Sequence, residues 1–262
     1  MKKLALIGAG ALSDEFVPNL KKYLNEDYIL TGVLARDFSK TEKFAKKHQI
    51  KPYATIEELL ADQPDYAVEI AGVPAAKEYA FELLKNQIHF IPLSTGVFAD
   101  RDFHKECEAL AKKNNVHIYL PSGAIGGVDI MRAMTLMGDM DIHFEAQKPT
   151  ENFTDLKEDQ KNKKEIIFEG SAREAIQKFP KNVNITITAA LASVGVEETD
   201  VKIIKNPELS ENKYEILLNN PYVKTEVSIQ SKANPENAAS SSLAAWSVLA
   251  LLDNLRQSIQ LF

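Results

Sequence analysis

The fold is indicated most clearly by Leu4-Ala5-Leu6-Ile7-Gly8-Ala9-Gly10-Ala11-Leu12-Ser13, in which an apolar run of strand length ends at two glycines and passes directly into a helical pattern. In such a strand–turn–helix, the first glycine allows a tight turn and the second lets the backbone approach a pyrophosphate at the helix N-terminus. Ser13 stands where a third glycine is usual. The stretch therefore predicts a dinucleotide-binding turn. The residues that we assign to it are Gly8, Gly10, Ala11 and Leu12.

The rest of the first 120 residues alternates apolar runs with amphipathic stretches, which is the pattern of a parallel sheet covered by helices on both faces. The predicted strands are Leu4–Ile7, Tyr28–Leu34, Tyr66–Ile70, His89–Leu93 and His117–Leu120. Helix starts are indicated by capping boxes at Ser39 with Glu42 and at Thr55 with Glu58, and by Pro74 in a first helical turn.

After Pro121 the rhythm changes to mixed elements. We expect helices from the glycine-rich turn to Met137, at Ala172–Phe179 and within residues 238–260, and strands near Asp141–Ala146, Val201–Ile204, Tyr214–Leu218 and Val223–Gln230. Thr150–Lys164 reads as an exposed loop, and Val183–Thr188 is compatible with a strand or a helix.

The predicted class is α/β, a Rossmann-type doubly wound parallel sheet followed by a smaller α+β domain for substrate binding and dimerisation. Its boundaries are expected at 1–121, 122–236 and 237–262, and the last segment is a helix that packs back on the first domain.

Composition excludes several classes of function. The net charge of −6 argues against nucleic acid as the main ligand. Cys107 is the sole cysteine, so an internal disulfide and a thiolate metal cluster are excluded. His48, His89, His104, His117 and His143 show no metal-ligand spacing, and we expect no metal. No apolar run approaches the roughly 18 residues of a membrane span, so we expect no membrane contact and a cytoplasmic location.

The end of the second predicted strand bears on the choice between NAD and NADP. An acidic residue at this point would accept hydrogen bonds from the adenosine ribose and repel a 2′-phosphate. Ala35 stands there, and Arg36 follows it. A guanidinium can form a charge-assisted contact with phosphate, although it can also stack on adenine, and Asp37 can still reach a ribose. We therefore expect NADP or NAD, with NADP favoured.

Four other stretches carry a resemblance to a known family: Leu93–Asp100 (LSTGVFAD), Pro121–Asp129 (PSGAIGGVD), Lys148–Pro149, and Phe168–Ala175 with Phe179–Asn184. In order and spacing they resemble the L-aspartate dehydrogenases, across essentially the whole chain. The resemblance implies a homodimer that deaminates an amino acid reversibly and oxidatively, so that its partners are an amino acid or an oxoacid. Sugar-type oxidoreductases share this Rossmann front, but they carry a Glu-Lys-Pro where Phe90–Ser94 has no lysine.

The resemblance also implies the remaining site residues. Ala71 joins the cofactor site, and the nicotinamide is expected to run toward Ser94, Thr95, Gly96 and Ala124. The backbone of Ser122 and Gly123 suits a carboxylate at a helix start. With Asn184 and Asn212 these two residues form the expected substrate site.

Three departures from the family pattern fall in that substrate site. The family's Asp-Pro becomes Asn206-Pro207, and its Asn-x-His becomes Asn212-Lys213-Tyr214, so Tyr214 replaces the proposed acid/base histidine. A family lysine is missing near Ala239. Losing a cation weakens the case for aspartate as substrate.

Tyr214 is the candidate catalytic residue if Lys213 or Lys148 lowers its pKa, which is normally near 10. If it only packs in a strand, a nucleotide-binding sensor without turnover remains open. A dehydrogenase or imine reductase for another small carboxylic substrate is a third reading.

Overall fold

The computed structural model describes residues 1–153, 162–179, 183–234 and 237–261, and they divide into two compact units. The first unit comprises Met1–Pro121 and Ala244–Leu261, and the second comprises Ser122–Leu243. The second unit thus extends beyond the expected end at residue 236, because a short strand pair occupies the residues before the last helix.

The first unit is built on a parallel sheet in the order β3-β2-β1-β4-β5. Its strands are β1 (Lys2–Ile7), β2 (Tyr28–Leu34), β3 (Lys51–Tyr53), β4 (Tyr66–Glu69) and β5 (His89–Pro92). The strand predicted at His117–Leu120 is wrong, since in this stretch the structure shows one isolated bridge, between Ile118 and Phe90. β3 was not predicted, because three residues that include a proline are too few to show an alternation of apolar and polar side chains.

Helices alternate with these strands, and this fold is the Rossmann-type α/β class that was predicted. They are α1 (Ala11–Tyr23), α2 (Phe38–His48), α3 (Ile56–Ala61), α4 (Val73–Lys85) and α5 (Arg101–Asn114), with a 3₁₀ turn at Thr95–Ala99. Pro74 lies in the first turn of α4, as predicted.

The expected capping boxes are replaced by other contacts. The cap of α2 is Asp37, whose carboxylate accepts from the Lys40 amide at 3.2 Å, so the box at Ser39 and Glu42 is wrong. Thr55 does cap α3, but the Glu58 carboxylate accepts from the Ala54 amide rather than closing the box.

The second unit is built on a sheet in the order β10-β9-β6-β8-β7, in which only β6 and β8 run parallel among the described pairs. Its strands are β6 (Asp141–Lys148), β7 (Glu165–Ser171), β8 (Asp200–Lys205), β9 (Asn212–Asn219) and β10 (Lys224–Ser231). β11 (Ala233–Asn234) and β12 (Asn237–Ser241) form a separate pair. β7 was not predicted, because its charged and half-exposed residues do not alternate.

Three helices accompany this sheet, α6 (Val128–Leu136), α7 (Ala172–Lys178) and α8 (Asn184–Ala192); α8 packs against both of the others, and α7 packs against β7 and β8. α8 contains the ambiguous Val183–Thr188 stretch and is buried on nearly every side, which removes the helical period from its sequence. Most of the loop predicted at Thr150–Lys164 lies outside the described residues, and Thr150–Asn152 form a 3₁₀ turn.

The last helix, α9 (Ser242–Arg256), is shorter than predicted, and from Ala244 onward it belongs to the first unit. Its Val248 and Leu252 enter the core formed by β1 and α1, and each buried side chain of this size contributes about 1.5–3 kcal/mol. The Tyr28 hydroxyl donates to the Leu252 carbonyl at 2.8 Å. None of the described helices is long and apolar enough to cross a membrane.

Candidate active site

The turn between β1 and α1 needs glycine at its first position. Gly8 has a φ of +123°, and a Cβ at this residue would lie 2.8 Å from the carbonyl carbon of Ile70. Its amide donates to the Leu34 carbonyl at 2.8 Å. Gly8 is therefore fixed by the packing of β1 between its neighbouring strands.

Gly10 is glycine for a different reason. It is the N-cap of α1 in an extended conformation, and a Cβ there would meet no described atom within 4 Å. Ala11 and Leu12 open the helix, half-buried, and no described side chain caps its amides. This open helix start fits a pyrophosphate, because amides and helix dipole both favour an anion. Ser13, in the position of the usual third glycine, is fully buried.

A buried carboxylate organises the carboxyl ends of β4 and β5. Glu69 is fully buried, and its Oε1 accepts from the amides of Ala71 and Gly72, both at 2.6 Å. Oε1 also accepts from the Ser94 hydroxyl at 2.9 Å, and Oε2 accepts from the Ser94 amide at 3.2 Å. Burial raises the pKa of Glu69, and these hydrogen bonds oppose the rise. Sequence reasoning missed this residue.

Glu69 therefore holds together two of the predicted cofactor segments. Ala71 begins the turn into α4, and Ser94 precedes the buried 3₁₀ turn that contains Thr95 and Gly96. Ala124, the other residue expected near the nicotinamide, belongs to the second unit and is buried there.

Arg36 and Asp37 have different surroundings at the end of β2. The Arg36 side chain is exposed. The Asp37 carboxylate caps α2 and lies 3.8 Å from the Lys40 ammonium. Asp37 is thus engaged by its own helix, yet its side chain remains 53% exposed, so both side chains reach into solvent.

In the second unit, the turn before α6 depends on glycines. Gly123 has a φ of +65° and Gly127 a φ of +73°. A Cβ on Gly123 would lie 3.2 Å from Cγ2 of Ile185, which places this turn beside the start of α8 and hence near Asn184. The backbone carbonyl of Ser122 accepts a hydrogen bond from the Ile125 amide at 3.4 Å. Three of the four predicted substrate residues are therefore neighbours.

Asn212, the fourth, opens β9, and its side-chain oxygen accepts from Asn152 Nδ2 at 2.7 Å. Tyr214 follows on the same buried face, 6.2 Å from Phe144 between ring centroids. Burial raises the pKa of Tyr214 to about 12. The condition under which Tyr214 would serve as proton donor, a pKa lowered by Lys213 or Lys148, is not met, and the Lys213 ammonium pairs with Glu215 at 2.8 Å.

Asn206, which replaces the family aspartate, is buried and fully engaged. Its Nδ2 donates to the Gln147 side chain at 2.9 Å, and its Oδ1 accepts from the Glu208 amide at 3.1 Å. An amide can serve both contacts, whereas a carboxylate could not donate the first.

Two buried lysines lie at the ends of β6 and β8, of which Lys148 was part of the family resemblance and Lys205 was missed. Lys148 and Lys205 are register partners, and their exposed fractions are 5% and 0%. Lys205 pairs with Glu165 at 2.8 Å. Burial lowers the pKa of Lys148 to about 8. The alternation Ile142, Phe144, Ala146 gave the signal, because it continues to residue 148.

Comparison with known proteins decides the family. The chain is 32% identical over its full length to an L-aspartate dehydrogenase from Acinetobacter baumannii, which it also covers completely. The chain belongs to the L-aspartate dehydrogenase family. A second relative, the L-aspartate dehydrogenase of Archaeoglobus fulgidus, is 38% identical over 78% of this chain and 81% of its own length.

Two domain models also match this family member. Residues 8–121 match the NAD-binding domain of homoserine dehydrogenase, and residues 129–255 match the C-terminal domain of aspartate dehydrogenase. The crystal structure of aspartate dehydrogenase from Thermotoga maritima superposes with a TM-score of 0.76 at 26% identity, over all of both chains. The chain is therefore an oxidoreductase, an NAD(P)-dependent amino-acid dehydrogenase of the aspartate dehydrogenase type.

Proposed function

We propose that the chain catalyses the reversible oxidative deamination of an α-amino acid that need not be aspartate, with NADP preferred over NAD. The observation that carries the proposal is the full-length likeness to L-aspartate dehydrogenases, joined to a glycine turn of the geometry that a dinucleotide requires. The bound nicotinamide would accept the hydride from the substrate Cα.

The residues of the first unit fit the dinucleotide. The α1 amides after Gly10 would bind the pyrophosphate, while Glu69 would hold Ala71 and Ser94 in place. Arg36 supports the NADP preference, because it is exposed at the end of a strand that carries no acidic residue before it. Asp37 caps α2 but remains exposed, so its carboxylate stays available to the adenosine ribose of either cofactor.

The second unit would bind the amino acid. Ser122 and Gly123 offer backbone at the turn before α6, with Asn184 nearby. Asn212 lies at the sheet end that also carries Lys148. The residues that differ from the family pattern, Asn206 and Tyr214, support a substrate range that differs from that of its relatives.

The test measures reduced-nicotinamide absorbance with a panel of amino acids, of oxoacids plus ammonia, and of imines, with each cofactor in turn. We expect turnover with at least one amino acid and slow turnover with aspartate near neutral pH. Cofactor binding without turnover on the whole panel would refute the proposal and favour a sensor.

The family likeness also supports a homodimer that works in the cytoplasm. Light scattering during gel filtration should give twice the 29.2 kDa of the chain. A monomeric mass would refute the dimer and would leave the proposed reaction unaffected.

A further inference from the structure

The buried face of the second sheet ends in a row of polar groups. In β6 the buried side chains Ile142, Phe144 and Ala146 alternate with exposed or half-exposed ones. At the strand end Gln147 and Lys148 are both buried, and Lys148 is on the face of Ala146. Ala146 is the register partner of Tyr214 in β9. Because side chains alternate along a strand, Lys148 and Tyr214 lie on one face as diagonal neighbours, with Cα atoms about 7–8 Å apart.

The same register, continued by one residue pair, puts Lys148 opposite Asn212. In the neighbouring parallel strand β8, the register partner of Lys148 is Lys205, whose ammonium donates a hydrogen bond to the Glu165 carboxylate. An ammonium buried at a strand end costs several kcal/mol to desolvate. A hydrophobic side chain would fill the place at less cost, so a lysine here calls for a functional reason.

The charged and titratable side chains around this position define its electrostatics. Among the described residues of the sheet, the charged or titratable side chains on the same face as Lys148 are Lys205, Glu165 and Tyr214. Helix α8 contains no titratable side chain. In α6, the charged side chains Asp129 and Arg132 are exposed. On α7, Glu174 bonds to Ser171, Lys178 is exposed, and Arg173 pairs with Glu197.

We propose that Lys148, rather than Tyr214, is the residue that exchanges the proton with the reacting substrate. The inference rests on the proposed function and names a catalytic group for it. Burial prepares the lysine for the task, since it lowers the pKa of Lys148 to about 8 and raises that of Tyr214 to about 12. Near neutral pH the lysine can both release and accept a proton, whereas the tyrosine stays protonated.

The proton would move as follows in the deamination direction. The amino acid reacts as its neutral amine, having released one ammonium proton to water, and loss of a hydride from Cα leaves an iminium ion. The neutral Lys148 amine then accepts a proton from a second water as its oxygen bonds to the iminium carbon. The lysine then returns this proton to the substrate nitrogen. The C–N bond breaks, the C=O bond forms, and the nitrogen leaves with the hydroxyl proton as ammonium.

Two substitutions separate this role from simple attraction of a carboxylate. Lys148→Arg keeps the positive charge but cannot be deprotonated at working pH, and Lys148→Met removes charge and proton together. We expect both to lower kcat by about 100-fold or more. Lys148→Arg should leave KM for the amino acid within a few-fold. The wild-type kcat for deamination should rise through a pKa near 8, and this limb should be absent from Lys148→Arg.

Lys202→Met is the matched control, because Lys202 is a lysine of β8 on the opposite face, 3.8 Å from Glu169. It should keep wild-type turnover. Urea unfolding checks that the second unit of each variant is folded, and NADPH binding checks the first unit. A Lys148→Arg enzyme with normal kcat and an unchanged pH limb would overturn the proposal, as would loss of turnover in Tyr214→Phe but not in Lys148→Arg. If the wild-type chain turns over nothing in the panel, the proposed function fails and this role fails with it.

Discussion

The two units bury charge in opposite ways. In the first unit the carboxylate of Glu69 is surrounded by three backbone amides and one hydroxyl, all of which donate to it. In the second unit the buried charges are the ammonium groups of Lys148 and Lys205, at the ends of adjacent parallel strands. The first arrangement fixes two turns, and the second places buried cations at the end of the sheet that carries Asn212 and Tyr214.

The difference indicates which buried charge builds structure and which serves chemistry. A carboxylate that accepts four hydrogen bonds from fixed donors braces the loops that donate them. A lysine whose pKa is lowered by burial instead remains ready to gain or lose a proton near neutral pH. The predictions below test this division, beginning with the largest expected effect.

The first prediction concerns Glu69→Ala, which should be the most damaging change. It leaves the amides of Ala71, Gly72 and Ser94 without their acceptor, at about 1–3 kcal/mol for each donor that water cannot reach. Both the free energy of unfolding, from urea titration, and NADPH affinity should fall. Glu69→Gln keeps an oxygen for Ala71 and Gly72 and should lose less of both. Equal values for Glu69→Ala and wild type would show that the carboxylate braces nothing.

A pair of matched substitutions separates the two glycines of the first turn. Gly8→Val should destabilise the fold by at least about 1–3 kcal/mol, because φ is +123° and its Cβ would lie 2.8 Å from Ile70 backbone. Gly10→Val should fold normally, since its Cβ meets no described atom within 4 Å, yet it should lose NADPH binding. Thermal unfolding and NADPH fluorescence measure the two effects. Normal NADPH affinity in folded Gly10→Val would place the pyrophosphate elsewhere.

How much of this could be predicted from the sequence depends on whether a feature is local. The glycine turn, the bounds of β2 and the Pro74 helix start were predicted, because each is determined by neighbouring residues. The strand at His117–Leu120 failed because pairing is decided by distant partners, and in this stretch only Ile118 forms a described bridge. α8 could not be assigned as strand or helix from its sequence, because burial on nearly all sides removes the helical period of apolar and polar residues.

The same distinction between local and non-local features holds for the candidate site. Arg36 and Gly10 could be predicted as cofactor residues because each lies in a short contiguous motif, whereas Glu69 was read as one more strand residue. Its role arises only when the chain brings the Ser94 turn beside the Ala71 turn. Lys148 was noticed as part of a resemblance, but its burial follows from β6 alternation, which the sequence did contain.

Lys148→Met should stabilise the protein, in contrast to Glu69→Ala. The folded-state pKa of Lys148 is about 8 against 10.5 for an ordinary lysine, so the charged form is disfavoured in the folded state. Below pH 8 the wild type therefore loses up to about 3 kcal/mol, a loss that fades as the pH rises from 8 to 10.5. Urea unfolding at several pH values should show the gain of Lys148→Met shrinking over that window.

Lys202→Met is again the control, because Lys202 lies on the other face of β8 and should show no such pH-dependent gain. A stability gain for Lys148→Met that stays constant from pH 7 to above 10.5 would mean that burial does not disfavour the ammonium. The contrast between the two units would then lose its electrostatic basis.

The smallest expected effect belongs to Arg36→Ala, which leaves both buried networks intact. Arg36 is exposed at the end of β2, and we expect its guanidinium to contact the 2′-phosphate of NADP. Its loss should weaken NADPH binding by about 1–3 kcal/mol, leave NADH binding nearly unchanged, and leave the unfolding free energy of the unliganded protein as it was. Fluorescence titration with both cofactors measures the first two quantities. Equal losses for NADPH and NADH would assign Arg36 to stacking on adenine, since both cofactors carry that ring. A loss of stability in the unliganded protein would instead make Arg36 part of the first unit's structure, and the NADP preference would then need a different residue to explain it.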